Sequence, residues 1–302
     1  MDSRTEPADS ASESASEPEP PDAAIPAAAS RDAAARAHPR QGPHDTAVRP
    51  PLLRELLLVV GLFVVYKAGR LLATGHTDEA FADAHRVWDW ERFLHLPGEG
   101  AVQTTLLHSD ALVHIANTYY AAVHFPATAA FLVWLYLRRP AHYVWARRVL
   151  ALVTAAALVG HLTFPLAPPR LLGEAGLVDT GQVYGPTVYG AHPATDAMAN
   201  QFAAMPSLHF GWALMVAIGL IAATRSRLRL LWLLHPLLTL VVIVGTANHY
   251  WLDAIVATAL LCIALAVVPP PRRTATTAGR RPERERADFP VRELPELVGA
   301  GR

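Results

Sequence analysis

Five polar side chains stand at the edges of long apolar blocks, and their types and spacing suit chemistry on a phosphate: Arg170, Ser207, His209, His249 and Asp253. Asp253 is the only formally charged residue between Leu230 and Pro271. A carboxylate inside an apolar helix costs several kcal/mol unless it has a partner, so its presence points to function. His249 lies four residues earlier, which puts imidazole and carboxylate on one helical face. A carboxylate that accepts from one ring nitrogen fixes the tautomer and leaves the other nitrogen's lone pair to attack an electrophile. His209 can protonate a leaving oxygen, and the Arg170 guanidinium can fork onto two phosphate oxygens. Each residue also has a plainer role: Arg170 as an arginine snorkelling to the membrane edge, and Ser207 as a helix cap.

These residues need a frame that brings them to one surface. The chain has 302 residues, 52% hydrophobic and 17% charged, with no formal net charge. That is too apolar for an ordinary soluble fold, and a zero charge balance argues against a nucleic-acid partner. Cys262 is the single cysteine and sits in an apolar run, so no intramolecular disulfide exists and the residue reads as a small buried hydrophobe. Six blocks near 52–73, 111–137, 144–166, 207–223, 228–246 and 249–268 have the length that crosses about 30 Å of hydrocarbon. The expectation is an all-α, six-helix transmembrane bundle over residues 51–268, because helices satisfy every backbone amide within the segment. Residues 78–96 carry Phe81, Trp88, Trp90, Phe93 and Leu94 among charges and read as an extra interfacial amphipathic helix. Residues 1–50 and the basic stretch 269–302 read as disordered tails.

Arginines set the orientation. Arg49 and Arg54, Arg138 to Arg148, Arg225 to Arg229, and Arg272 with Arg273 all fall on one side of a six-span chain. Basic residues stay in the cytosol, so both termini are expected there, in a multi-pass plasma-membrane protein whose site faces outward. Spans four and six then start at the outer surface, where helix N-termini attract anions. No metal or other cofactor is required by this set.

The stretches Phe164 to Arg170, Pro206 to His209 and His249 to Asp253 resemble the three signature segments of the type 2 phosphatidic acid phosphatase superfamily. The Ala-Pro-Pro-Arg, Met-Pro-Ser-Leu-His and Asn-His-Tyr-Trp-Leu-Asp wording is similar to its inositol phosphorylceramide synthase branch. The resemblance runs from about 52 to 268 and includes Tyr120 to Pro126. It implies that His249 becomes a phosphohistidine, Asp253 orients it, His209 is the general acid, and Arg170 with Ser207 holds the phosphate without metal. The implied substrate is a lipid phosphate or a phospholipid, with water or an inositol-like alcohol as acceptor. Two cations of the superfamily pattern are absent, since Thr163 and Ile243 occupy their places; Lys67 and Arg70 are substitutes by topology.

Other polar residues in the spans, Asn117, His124 and His161, suit interhelical hydrogen bonds, and Trp88, Trp90, Tyr119 and Tyr120 suit an aromatic belt. Two rival functions remain open on sequence: an intramembrane serine protease built on Ser207 and His249, and a proton-coupled transporter using Asp253.

Overall fold

A computed structural model describes residues 49–72, 76–190 and 201–271 of the chain. The expected tails lie almost wholly outside the described residues. Within them the regular structure is helical, with one isolated parallel bridge between Leu166 and Ala203. Ten α-helices follow in order: α1 Leu52–Leu72, α2 Thr77–Phe93, α3 Glu99–Leu107, α4 Asp110–Ala122, α5 His124–Arg138, α6 Pro140–Thr163, α7 Thr180–Tyr184, α8 Leu208–Ala223, α9 Leu234–Gly245 and α10 Trp251–Val267. A 3-10 segment, Arg227–Leu233, leads into α9.

Two stretches, Pro140–Thr163 and Arg227–Gly245, are long and apolar enough to cross a membrane, and the pair α4 and α5 makes a third if counted as one bent span. The other expected spans differ for separate reasons. Helix α1 has 21 residues but carries Arg54, Glu55, Lys67 and Arg70. Helices α8 and α10 have 16 and 17 residues, about 24 to 26 Å at 1.5 Å per residue. The block expected as one helix over 111–137 breaks at Val123 with a 49° bend. Pro126 is the cause, because its ring excludes the carbonyl four residues earlier, at Ala122, where α4 ends.

The core lies among α5, α6, α8 and α10, where Phe131, Leu135, Trp145, Val149, Met215 and Leu261 pack together. Helix α1 is exposed along most of its length and is tied to α6 at one end, where Glu55 accepts from Arg147 and from the Tyr143 hydroxyl at 2.9 Å. The amphipathic helix expected over 78–96 is α2. It turns Ala80, Ala84, Val87 and Glu91 inward and leaves Trp90 and Phe93 exposed. Its buried face meets Leu166, Ala167, Phe202 and Tyr250, so α2 packs on the loops that carry the polar residues. Helix α3, which follows it, has no counterpart among the expected elements; it buries Glu99 and Gln103 and packs with α9.

Candidate functional site

Four short stretches of chain converge at one end of the bundle. After α6 ends at Thr163, the prolines at 165, 168 and 169 keep the chain out of helix until the turn Pro169–Leu171 presents Arg170. Leu166 N–H donates to the Phe202 carbonyl at 2.7 Å, and Arg170 N–H to the Ala247 carbonyl at 3.0 Å. These bonds stitch the 164–172 loop to the segments that precede α8 and α10. Gly160 permits the approach from the other side, since a Cβ there would lie 3.0 Å from Cδ of Pro206.

The Arg170 side chain is 8% exposed and fully directed. Nε donates to Asp179 at 3.1 Å, Nη1 to Asn248 at 2.8 Å and Nη2 to Gln201 at 2.8 Å, while the guanidinium lies 4.5 Å above the Tyr189 ring. Among the described residues three of the five N–H groups have partners, which leaves two that can meet an anion.

His249 is buried just before α10, not inside it. Its Nδ1 lies 3.0 Å from Asp253 Oδ2 and 2.9 Å from the Ala204 carbonyl. Both neighbours are acceptors, so the hydrogen belongs on Nδ1 and Nε2 keeps a lone pair. Asp253 is 0% exposed, and Oδ2 also accepts the Tyr250 N–H at 3.0 Å, which closes the first turn of α10. His209 enters from the first turn of α8, its ring centroid 5.9 Å from that of His249. It stacks on Tyr120 at 4.5 Å and meets His124 at the same distance.

Arg170, His209 and His249 line one cavity of about 390 Å³, together with Tyr120, His124, Gln201 and Asn248. Phe63, Tyr66 and Lys67 of α1 form another part of its wall. Lys67 therefore reaches the site, whereas the Arg70 side chain lies outside the described residues. Ser207 and Asp253 do not line the cavity. Ser207 is 0% exposed, and its Oγ caps α8 by accepting from the Phe210 N–H at 3.4 Å, while its own N–H donates to the Asp253 carbonyl at 3.2 Å. It thus couples the starts of α8 and α10. Both helices direct their N-termini toward the cavity, which favours a bound anion. Such an arrangement can hold a tetrahedral anion between a guanidinium and two imidazoles.

Several contributors carry no signal in the sequence. Gln201 and Asp179 come from loops without periodicity. Asn248 is adjacent to His249, and its role as Arg170's acceptor depends on the fold. Tyr120, expected in an aromatic belt, is instead buried against His209. His124, expected to hydrogen-bond between helices, stacks with His209 and Trp212 of α8 and lines the cavity. Asn117 donates to the carbonyls of Thr180 and Gly185 at the two ends of α7, and His161 lies 3.3 Å from the Pro206 carbonyl. Thr163 returns its hydroxyl to the Val159 carbonyl, and Ile243 is buried apolar, so neither supplies a cation. Among the described residues no group of three or more His, Cys, Asp or Glu side chains is arranged to bind a metal.

A family model described as the PAP2 superfamily matches residues 85–267, a stretch that contains all five polar residues and begins after α1. No curated protein and no solved structure matches the chain.

Proposed function

The chain belongs to the PAP2 superfamily, and from that premise we propose a membrane-embedded lipid phosphatase or phosphotransferase that works through a phosphohistidine at the extracytoplasmic face. PAP2 membership suggests phosphatase-type activity. The single observation that carries the finer reading is the His249 ring: Nδ1 is held by Asp253 and Ala204, so Nε2 is the free nucleophile in a cavity shared with Arg170 and His209.

In the first step Nε2 of His249 attacks phosphorus, an N–P bond forms and the P–O bond to the leaving alcohol breaks. His209, as imidazolium, gives its proton to that alcohol. In the second step an acceptor hydroxyl returns a proton to His209 and attacks the phosphohistidine, releasing the phosphorylated product and His249. The two remaining N–H groups of Arg170 and the two helix N-termini offset the charge on the equatorial oxygens. Asp253 keeps the tautomer, and Ser207 acts by fixing the backbone of α8 against α10 in addition to any contact with phosphate.

Water as acceptor gives a phosphatase acting on a lipid phosphate. An alcohol acceptor such as inositol gives a transferase, and the motif wording supports that branch. A plasma-membrane bundle of six spans over 51–268, with both termini cytosolic, remains the topology that best agrees with the arginine distribution. Short α8 and α10 and the charged α1 then cross beside the longer spans. Lys67 is the residue best placed to supply the missing superfamily cation.

The protease reading loses support because Ser207 Oγ serves as a cap, away from the cavity. A transporter relay loses support because Asp253 is sealed behind His249 and Tyr250. Purified protein incubated with dioctanoyl phosphatidic acid or phosphatidylinositol, with and without free inositol or ceramide, tests the assignment. Release of inorganic phosphate or of a new phospholipid is expected in the wild type and absent in His249→Ala. Equal turnover in that variant overturns the covalent route.

A further inference from the structure

Two acidic side chains that the reaction does not use are sealed behind the site. Glu91 on α2 and Glu99 on α3 are both 0% exposed. One guanidinium serves both: Arg92 Nη2 lies 2.9 Å from Glu99 Oε2 and 3.7 Å from Glu91 Oε2, stacked at 4.0 Å over Trp88. Among the described residues Glu91 Oε2 and Glu99 Oε1 have no hydrogen-bond partner. Burial, and then the neighbouring Glu99, push Glu91 up to about 9. The second Glu91 oxygen, Oε1, accepts the Leu252 N–H at 2.8 Å. Leu252 lies in the first turn of α10, whose amides have no partner inside the helix, and the next residue is Asp253.

We propose that Glu91 is a positioning residue for the reaction at His249: its Oε1 clamps the first turn of α10 through the Leu252 N–H and so fixes Asp253 against the imidazole. This role rests on the phosphohistidine reading. Asp253 also lies near Glu91, so a neutral Glu91 sets no second negative charge beside it. The charged and titratable groups facing Glu91 are Glu99, Arg92, Asp253 and Tyr250. Arg92 is the only cation among these four, and it serves the carboxyls of Glu91 and Glu99.

The test uses full-length protein in detergent with dioctanoyl phosphatidic acid as substrate, and compares wild type with Glu91→Gln, Glu91→Ala and Glu91→Asp. Glutamine preserves a neutral acceptor at the same reach, so kcat stays within about twofold of wild type at neutral pH. Alanine removes the acceptor and aspartate shortens it, so each lowers kcat by about tenfold or more with KM little changed. Rescue by glutamine alone, with KM unmoved, is a pattern that a general loss of folded protein would not give. Hydrogen exchange of peptides covering Leu252 reads the clamp without turnover: exchange there rises about tenfold in Glu91→Ala and is unchanged in Glu91→Gln. Unaltered exchange in Glu91→Ala, or a Glu91→Gln variant as damaged as Glu91→Ala, overturns the clamp. Lack of both phosphate release and head-group transfer by the wild type overturns the phosphohistidine reading instead, whatever the exchange data give.

Discussion

On the proposed mechanism Asp253, with the Ala204 carbonyl, keeps the hydrogen on Nδ1 of His249, and its share has a measurable size. Asparagine at 253 offers an amide where Nδ1–H needs an acceptor, so the expected loss in kcat is on the order of 10³ to 10⁴ with the fold retained. Steady-state turnover beside a thermal melt checks both parts. Arg170 is a planar fork seated on Asp179, Asn248 and Gln201, and a lysine ammonium cannot reach all three acceptors while also gripping phosphate. Arg170→Lys is expected to lower kcat/KM by about 10²-fold. A variant within about twofold of wild type would mean that Arg170 is a structural strut. The His249 and Asp253 pair is legible in the sequence because a lone charge in a long apolar block is costly, and an imidazole one turn away supplies the partner that offsets the cost. Gln201, Asp179 and Tyr189 are not legible there, because their roles come from contacts between distant loops. Ser207 reads equally as a cap and as a ligand in the sequence; the fold gives its capping bond, and its contact with phosphate is a proposal.

Helix ends are better marked in the sequence than helix continuity. The starts of α8 and α10 fall within two residues of the expected blocks, because Pro206 and Ser207 mark one and the polar Asn248 and His249 mark the other. The break at Val123 is hidden, although Pro126 announces it, because hydropathy runs without interruption across the bend. Helix α3 is hidden because nine residues with Gly100 and Gln103 show no helical apolar period. One consequence of the packing is open to test. Gly160 lets α6 approach Pro206, and a methyl at 3.0 Å from a proline ring has no flexible neighbour to displace. Gly160→Ala is expected to destabilise the fold by about 1–2 kcal/mol and to lower activity by shifting the 205–209 segment. A melting temperature and kcat equal to wild type would show that the segment yields freely.

Across the whole molecule, composition and arginine placement point to a membrane setting, and the fold adds that the site lies at the bundle end where α8 and α10 begin. Among the described residues two to three helices qualify as spans by length and apolarity, so sidedness calls for direct measurement. Cys262, the single cysteine, is exposed on α10 and not buried as its apolar run suggests, so Cys262→Ala is the background for labelling. In intact cells an impermeant maleimide is expected to label a cysteine introduced at Glu174 and not one at Ser226; both positions are exposed in the fold. The reverse pattern would turn the protein over in the bilayer and put the cavity in the cytosol. The reaction itself is decided by one further observation. Purified protein, quenched after brief exposure to phosphatidic acid carrying radioactive phosphorus, should retain label that acid removes and alkali does not, with none on His249→Ala. Label that survives acid, or persists in that variant, would contradict a phosphohistidine at His249.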